Sequence, residues 1–212
     1  MLPLVVWAAP GAVAAVATGD RPAASDKETR PRARSGIAVG FALGGGLAGG
    51  SGYPNNATQI GDPAHYVSSG WMGGTTETIL AMGAIADYLN FGFFFSHASF
   101  ENGYFRSNGN GGGLRVEAYP FVRLYPRLSG AGFFGQFGIG GGNLVSKQPN
   151  GGGAEGTQSF VGAGALYEWS VVKIFGGHVA VGPSLEYDAI FSQPFERHGL
   201  LATARVVFYG GP

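Results

Sequence analysis

The chain has 212 residues with thirteen basic and thirteen acidic side chains, so its length fits one domain with a tail and its zero net charge gives no reason to expect nucleic acid as a partner. Forty glycines without a G-X-Y period exclude collagen, and sixteen phenylalanines argue against low-complexity disorder. The absence of cysteine excludes a disulfide framework, a thiolate metal site and a cysteine nucleophile.

The first segment, "MLPLVVWAAPGAVAAVATGD", is apolar from Leu4 to Ala17 and closes on Ala15-Val16-Ala17, the small-x-small form of a signal-peptidase site. It is too short to span a bilayer, which needs about 20 residues, and Pro10-Gly11 interrupts a buried helix. Residues 1–17 therefore read as an export signal. No basic residue precedes the run, as a start displaced by a few residues would explain. Residues 18–35 are polar and proline-containing and read as a disordered lead-in. Eight charged residues (Asp20, Arg21, Asp26, Lys27, Glu28, Arg30, Arg32 and Arg34) fall before residue 36, which leaves the rest of the chain poor in charge.

From residue 36 to 210 the recurring hydrophobic period is two, the mark of strands with two unlike faces. "GIAVGFALGG" sets Ile37, Val39, Phe41 and Leu43 against Ala38, Gly40, Ala42 and Gly44. Seven further strands are expected at about 74–86, 89–99, 113–125, 131–143, 158–170, 178–191 and 199–209. Long polar connections at 47–73, 100–112, 144–157 and 192–198 alternate with tight ones at 87–88, 126–130 and 171–177. Four hairpins with long loops at one end and short turns at the other describe an all-β, eight-stranded antiparallel up-and-down transmembrane β-barrel.

The faces support a membrane-embedded barrel over a soluble one. In 113–125, Leu114, Val116, Ala118, Val122 and Leu124 oppose Arg115, Glu117, Tyr119, Phe121, Arg123 and Tyr125. In 178–191 the apolar positions oppose Glu186 and Asp188, and in the last strand they oppose Arg205 and Tyr209. The polar face is mostly Gly, Ser, Thr and Ala with a few ions, too sparse for a water-facing surface but suited to a narrow lumen filled by side chains. Arg115, Glu117, Arg123, Glu168, Glu186, Asp188 and Arg205 are assigned to that lumen as a paired network, since charges away from water persist only when paired. Read as a plug, the network predicts little or no conductance; read as a set of switching salt bridges, it would gate a narrow channel. Trp71, Phe100 and Phe191 near the long loops, and Tyr88, Tyr125, Trp169 and Phe208 near the short turns, are expected to form two interfacial girdles. Pro120 and Pro183 fall inside expected strands, where a missing N–H marks a bulge or bend.

The pattern carried by "GIAVGFALGG", "ADYLNFGFFFS", "LRVEAYPFVRLYP", "AGFFGQFGIGGG", "VAVGPSLEYDAIFS" and "LLATARVVFY" resembles the OmpA/OmpX-type family of small eight-stranded bacterial outer-membrane barrels. The resemblance implies a non-enzymatic, monomeric, multi-pass protein of the outer membrane. It also implies contact with membrane lipid and lipopolysaccharide, insertion by the barrel-assembly machinery, and no cofactor. Chains of that family usually end on an aromatic residue, whereas Gly-Gly-Pro follows Tyr209 here.

His97-Ala98-Ser99 is the one enzymatic lead. It is similar to the His-x-Ser pair of outer-membrane lipid A deacylases, in which the His would activate the Ser for acyl transfer with a carboxylate behind it. Alternation places both residues in register with Phe91, Phe93 and Phe95, facing lipid. Glu117 falls in the lumen register and Glu101 is close in sequence, so neither is a ready third member, and interfacial polarity is the favoured reading. The glycine runs precede no Lys-Ser/Thr, and the four histidines lack metal-ligand spacing.

Overall fold

The computed structural model describes residues 34–53, 60–149 and 151–211. The expected signal segment, and the lead-in as far as residue 33, lie outside them. Nine strands are present among the described residues: β1 (Gly36–Gly52), β2 (Val67–Ala86), β3 (Leu89–Glu101), β4 (Phe105–Ala118), β5 (Ala131–Ser146), β6 (Gly153–Tyr167), β7 (Trp169–Ile174), β8 (Gly177–Phe191) and β9 (Phe195–Gly210). β6 and β7 form one stave. Leu166 pairs with Ser184 of β8 and Trp169 with Val181, so the register continues across the gap at Glu168. The gap lies beside Pro183, which has no N–H to give to the ladder. Every neighbouring pair is antiparallel, and β1 pairs with β9, which closes eight staves into a barrel.

Outward-facing partners can be followed once around the ring, from Phe41 through Ile79, Phe95, Gly112, Ile139, Ser159, Phe191 and Glu196. The path returns to β1 at Ser51, ten residues beyond its start. A stagger of this size tilts eight strands by roughly 40° and leaves an interior that side chains can fill. The interior is apolar near the middle (Leu80, Met82, Phe94, Phe160, Ile190), with a second cluster of Met72, Phe100, Leu144, Phe195 and Leu201 toward the loop end.

The exterior reverses the soluble pattern. Ile37, Val39, Phe41 and Leu43 of β1, Phe91, Phe93 and Phe95 of β3, and Phe133, Phe137 and Ile139 of β5 are all exposed. A water-soluble protein does not leave so continuous an apolar belt uncovered, so this surface is built for lipid.

Several strand boundaries differ from the sequence reading. β4 runs from Phe105 to Ala118 and not from 113 to 125, because Pro120 ends the ladder and residues 121–125 wind into a turn, Tyr125 N donating to Phe121 O at 2.9 Å. Arg123, expected in the lumen, stands exposed on this turn, 5.0 Å from the Tyr88 ring. The strands also continue into segments expected to be loops. The connections at 102–104 and 192–194 are tight, and the longest at that end runs from 53 to 66.

Candidate functional site

Inward positions recur at every second residue, and the ions among them gather at two levels. At the turn end Glu117, fully buried, is the hub. Its Oε1 accepts from Arg115 Nε at 2.9 Å and Arg205 Nη1 at 2.8 Å; its Oε2 accepts from Arg205 Nη2 at 3.2 Å, Asn90 Nδ2 at 3.2 Å and Tyr119 OH at 2.9 Å. Glu168 sits 3.1 Å from Arg205 Nη2 and accepts from Tyr209 OH and from Arg34 Nε at 3.2 Å. The Arg115 guanidinium lies 3.6 Å over the Phe134 ring and donates to Gln136 Oε1 at 2.8 Å; the Gln136 amide in turn donates to Glu186. Five donors on one carboxylate, with two guanidiniums among them, satisfy charge and hydrogen-bonding capacity together, as burial away from water requires.

Nearer the loop end, Arg197 Nη2 lies 3.6 Å from Asp188 Oδ2, its Nη1 donates to Ser107 Oγ at 3.3 Å, and its guanidinium covers Phe100 at 4.9 Å. This pairing is looser than that around Glu117.

Of the residues assigned to the lumen from sequence, Arg115, Glu117, Glu168, Glu186, Asp188 and Arg205 are buried inside the barrel, and Arg123 is not. Two lumen cations were not anticipated. Arg34, placed by sequence in the lead-in, enters the turn-end mouth, donates to Ser129 O at 3.1 Å and stacks 3.5 Å over Tyr119. Arg197, placed in a loop, is 2% exposed. Both lie on a continued period-two register, Arg34 with Ala38 and Ala42, Arg197 with Leu201 and Arg205. That continuation was the available signal.

Among the expected interfacial rings, Trp71, Tyr88, Tyr125, Trp169 and Phe191 are exposed, and Phe208 is half-buried on the outward register of β9. Phe100 is fully buried. It occupies an even position of β3, shared with Phe94, and so points into the lumen, opposite to Phe91, Phe93 and Phe95.

His97 and Ser99 face outward. The hydrogen-bonded row Ile79, Phe95, Gly112, Ile139 is followed toward the loops by Glu77, His97, Asn110, Gly141, and then by Thr75, Ser99, Asn108, Asn143. The outer surface turns from apolar to polar within one row. His97 Nδ1 is hydrogen-bonded to Asn110 Oδ1, and Ser99 Oγ donates to Asn108 Oδ1 at 2.7 Å. The carboxylate that sequence reasoning lacked beside His97 is Glu77, its direct cross-strand neighbour. Which residues face each other across two strands depends on register, and no single segment records it.

A closed eight-stave barrel with an apolar exterior and an ion-packed interior is a transmembrane β-barrel. No family model matches the sequence, and no curated protein does. Among solved structures the chain is similar to Ail, the attachment invasion locus protein of Yersinia pestis, at 10% identity and a TM-score of 0.49, covering 82% of this chain and 99% of that one. It is also similar to Neisserial surface protein A, at 14% identity and a TM-score of 0.45 over 81% of this chain and 97% of that one. A further similar structure is the N-terminal β-barrel domain of Pseudomonas aeruginosa OprF, at 11% identity and a TM-score of 0.41 over 81% and 98%. The assignment as a membrane barrel rests on the closed ladder and the apolar exterior.

Proposed function

We propose that the protein is a non-enzymatic, monomeric barrel of a Gram-negative outer membrane, with a plugged lumen, serving envelope integrity or acting through its loop-end surface. Its partners are then membrane lipid and lipopolysaccharide outside and the barrel-assembly machinery during insertion. The observation that carries this reading is the lattice of Arg34, Arg115, Glu117, Glu168 and Arg205, which fills the turn-end lumen with interlocked ion pairs. An eight-strand interior leaves no room for a path beside such a lattice. Pure protein in planar bilayers should give little or no conductance. Steady large pores from monomer would overturn the plug, and release from membranes without detergent would overturn the membrane location.

A second reading is a lipid-modifying hydrolase. Glu77 opposite His97 favours it, since nucleophile, base and carboxylate then share one outward face where the apolar belt ends. Ser99 Oγ would attack an acyl carbonyl while His97 takes its proton and gives it to the departing sugar oxygen or nitrogen as the acyl bond breaks, leaving an acyl-enzyme that water, deprotonated by His97, cleaves to free acid and serine. Lipid A acylation that is the same with wild type and Ser99→Ala would dispose of it.

A further inference from the structure

The two rims of the barrel differ in sign. At the loop end, among the described residues, Asp62, Glu77, Glu101, Glu155 and Glu196 outnumber Arg106 and Lys147, and both of those cations are bonded to Glu101. At the turn end the order is reversed. Arg123, Arg127 and Lys173 are exposed there, and Asp87 is the one carboxylate in the connecting turns among the described residues.

These cations stand among apolar side chains that the fold leaves exposed. After Pro120 the chain winds, Leu124 N donating to Phe121 O at 3.2 Å and Leu128 N to Tyr125 O at 2.8 Å. Leu124, Tyr125 and Leu128 are thereby exposed beside Arg123 and Arg127, Leu124 to 73%. Two contacts hold this turn at the foot of the lipid-facing wall. Arg123 lies 5.0 Å from the Tyr88 ring. Arg127 O accepts from Tyr167 OH at 2.9 Å, and the Tyr167 ring is 4.9 Å from that of Trp169. Trp169 pairs with Val181 and Val172 with Val179, so the outward row of the β7–β8 hairpin is apolar, and Phe175 at its tip is 98% exposed. Tryptophan and tyrosine favour the level of lipid headgroups. Apolar side chains left open together mark a contact with something apolar, and an arginine beside them offers a fork of donors to phosphate oxygens.

We propose that the 119–130 turn and the adjoining end of the β6–β7 stave bind an anionic phospholipid of the turn-end leaflet, its phosphate at Arg123 and Arg127 and its acyl chains on Leu124, Leu128 and Trp169. A soluble anion would gain nothing from the leucines, and a zwitterionic lipid would gain less from the arginines. At the loop end the same lipid would meet a surplus of carboxylates. The proposal rests on the outer-membrane reading above and adds to it a lipid preference confined to one leaflet.

The test uses the full chain folded into phosphatidylcholine vesicles with Trp169 as its sole tryptophan (Trp7→Phe, Trp71→Phe), and brominated lipids as quenchers of whichever tryptophan they touch. Brominated phosphatidylglycerol should displace phosphatidylcholine from Trp169 with a preference of roughly fivefold, the gain from one arginine at an anionic lipid surface. Arg123→Gln with Arg127→Gln should remove the preference, and Arg123→Lys with Arg127→Lys, which keeps both charges, should retain it. Added sodium chloride should weaken it by screening. With Trp71 at the loop end as the sole tryptophan (Trp7→Phe, Trp169→Phe), neither lipid should be favoured. Equal quenching by the two lipids at Trp169 would overturn the proposal. So would a preference that survives the paired glutamine changes, one that is as large at Trp71, or one indifferent to salt, which needs no further variant. In each of these cases a gel mobility that still shifts on heating would leave the outer-membrane reading standing; no such shift in any vesicle would sink both.

Discussion

A charge inside this barrel and a charge on its rim obey different rules. Arg205 bonds both Glu117 and Glu168 and is 1% exposed. Arg205→Met would strand part of two buried carboxylates, so the barrel should lose about 3–5 kcal/mol in urea unfolding from micelles, the range for breaking a buried pair from one side. Arg106, bonded to Glu101 at 2.9 Å on the rim, is solvated, and Arg106→Ala should cost about 0–1 kcal/mol. Similar losses in the two variants would mean that the lumen is wet. Glu101 itself is held below the usual carboxylate range, first by the hydrogen bond from Lys147 and then by that from Arg106. Its folded pKa is depressed, so whatever it contributes is present above the unfolded value and fades as pH falls through the folded one. Lys147→Ala should move the Glu101 titration upward, toward the ordinary glutamate range, by NMR. An unmoved titration would remove Lys147 as the cause.

Along β3 the outward register runs Phe91, Phe93, Phe95, His97, Ser99, and the change in chemistry fixes where lipid ends. Phe93→Arg should destabilise the folded barrel in bilayers by about 2–4 kcal/mol, and Ser99→Arg, beyond the belt, by about 0–1 kcal/mol. Equal costs at the two positions would place the membrane edge elsewhere. The same strand shows what the sequence could disclose. Alternation identified β3 and its lipid-facing row because Phe and Gly or Asn differ so strongly in hydropathy. Beside it, the segment Phe105–Gly112 of β4 was expected to be a loop. Its outward positions are Asn108 and Asn110 and its inward ones Gly109 and Gly111, so neither face is apolar and no period appears. The strand exists because its neighbours on both sides supply the ladder. Pro120 was read as a bend inside β4 and instead ends it, while Pro183 stays within β8, where the break falls on the β6–β7 stave opposite. A proline's local effect was legible; which strand would absorb it was a matter of register.

For the molecule as a whole, the lumen closes its charge account only with a residue that precedes the first strand. Among the described residues the buried cations are Arg34, Arg115, Arg197 and Arg205, and the buried anions are Glu117, Glu168, Glu186 and Asp188. Without Arg34 the interior would carry one net negative charge, so the barrel's electrostatic neutrality depends on the chain entering its mouth at the turn end. Arg34 reaches Glu168 at the gap between β6 and β7, where the pairing with β8 is interrupted and Glu168 N donates to Gly130 O at 2.9 Å on the other side. The contact therefore serves the wall as well as the plug. A double-mutant cycle of Arg34→Ala and Glu168→Gln, read by urea unfolding in micelles, should return a favourable coupling of about 0.5–3 kcal/mol, as expected for groups in direct contact within one network. The double change should cost less than the sum of the two single changes, because each single change removes one partner of a charge that stays buried. Strict additivity of the two changes would mean that Arg34 does not enter the folded barrel, and the lumen would then have to find its fourth positive charge elsewhere.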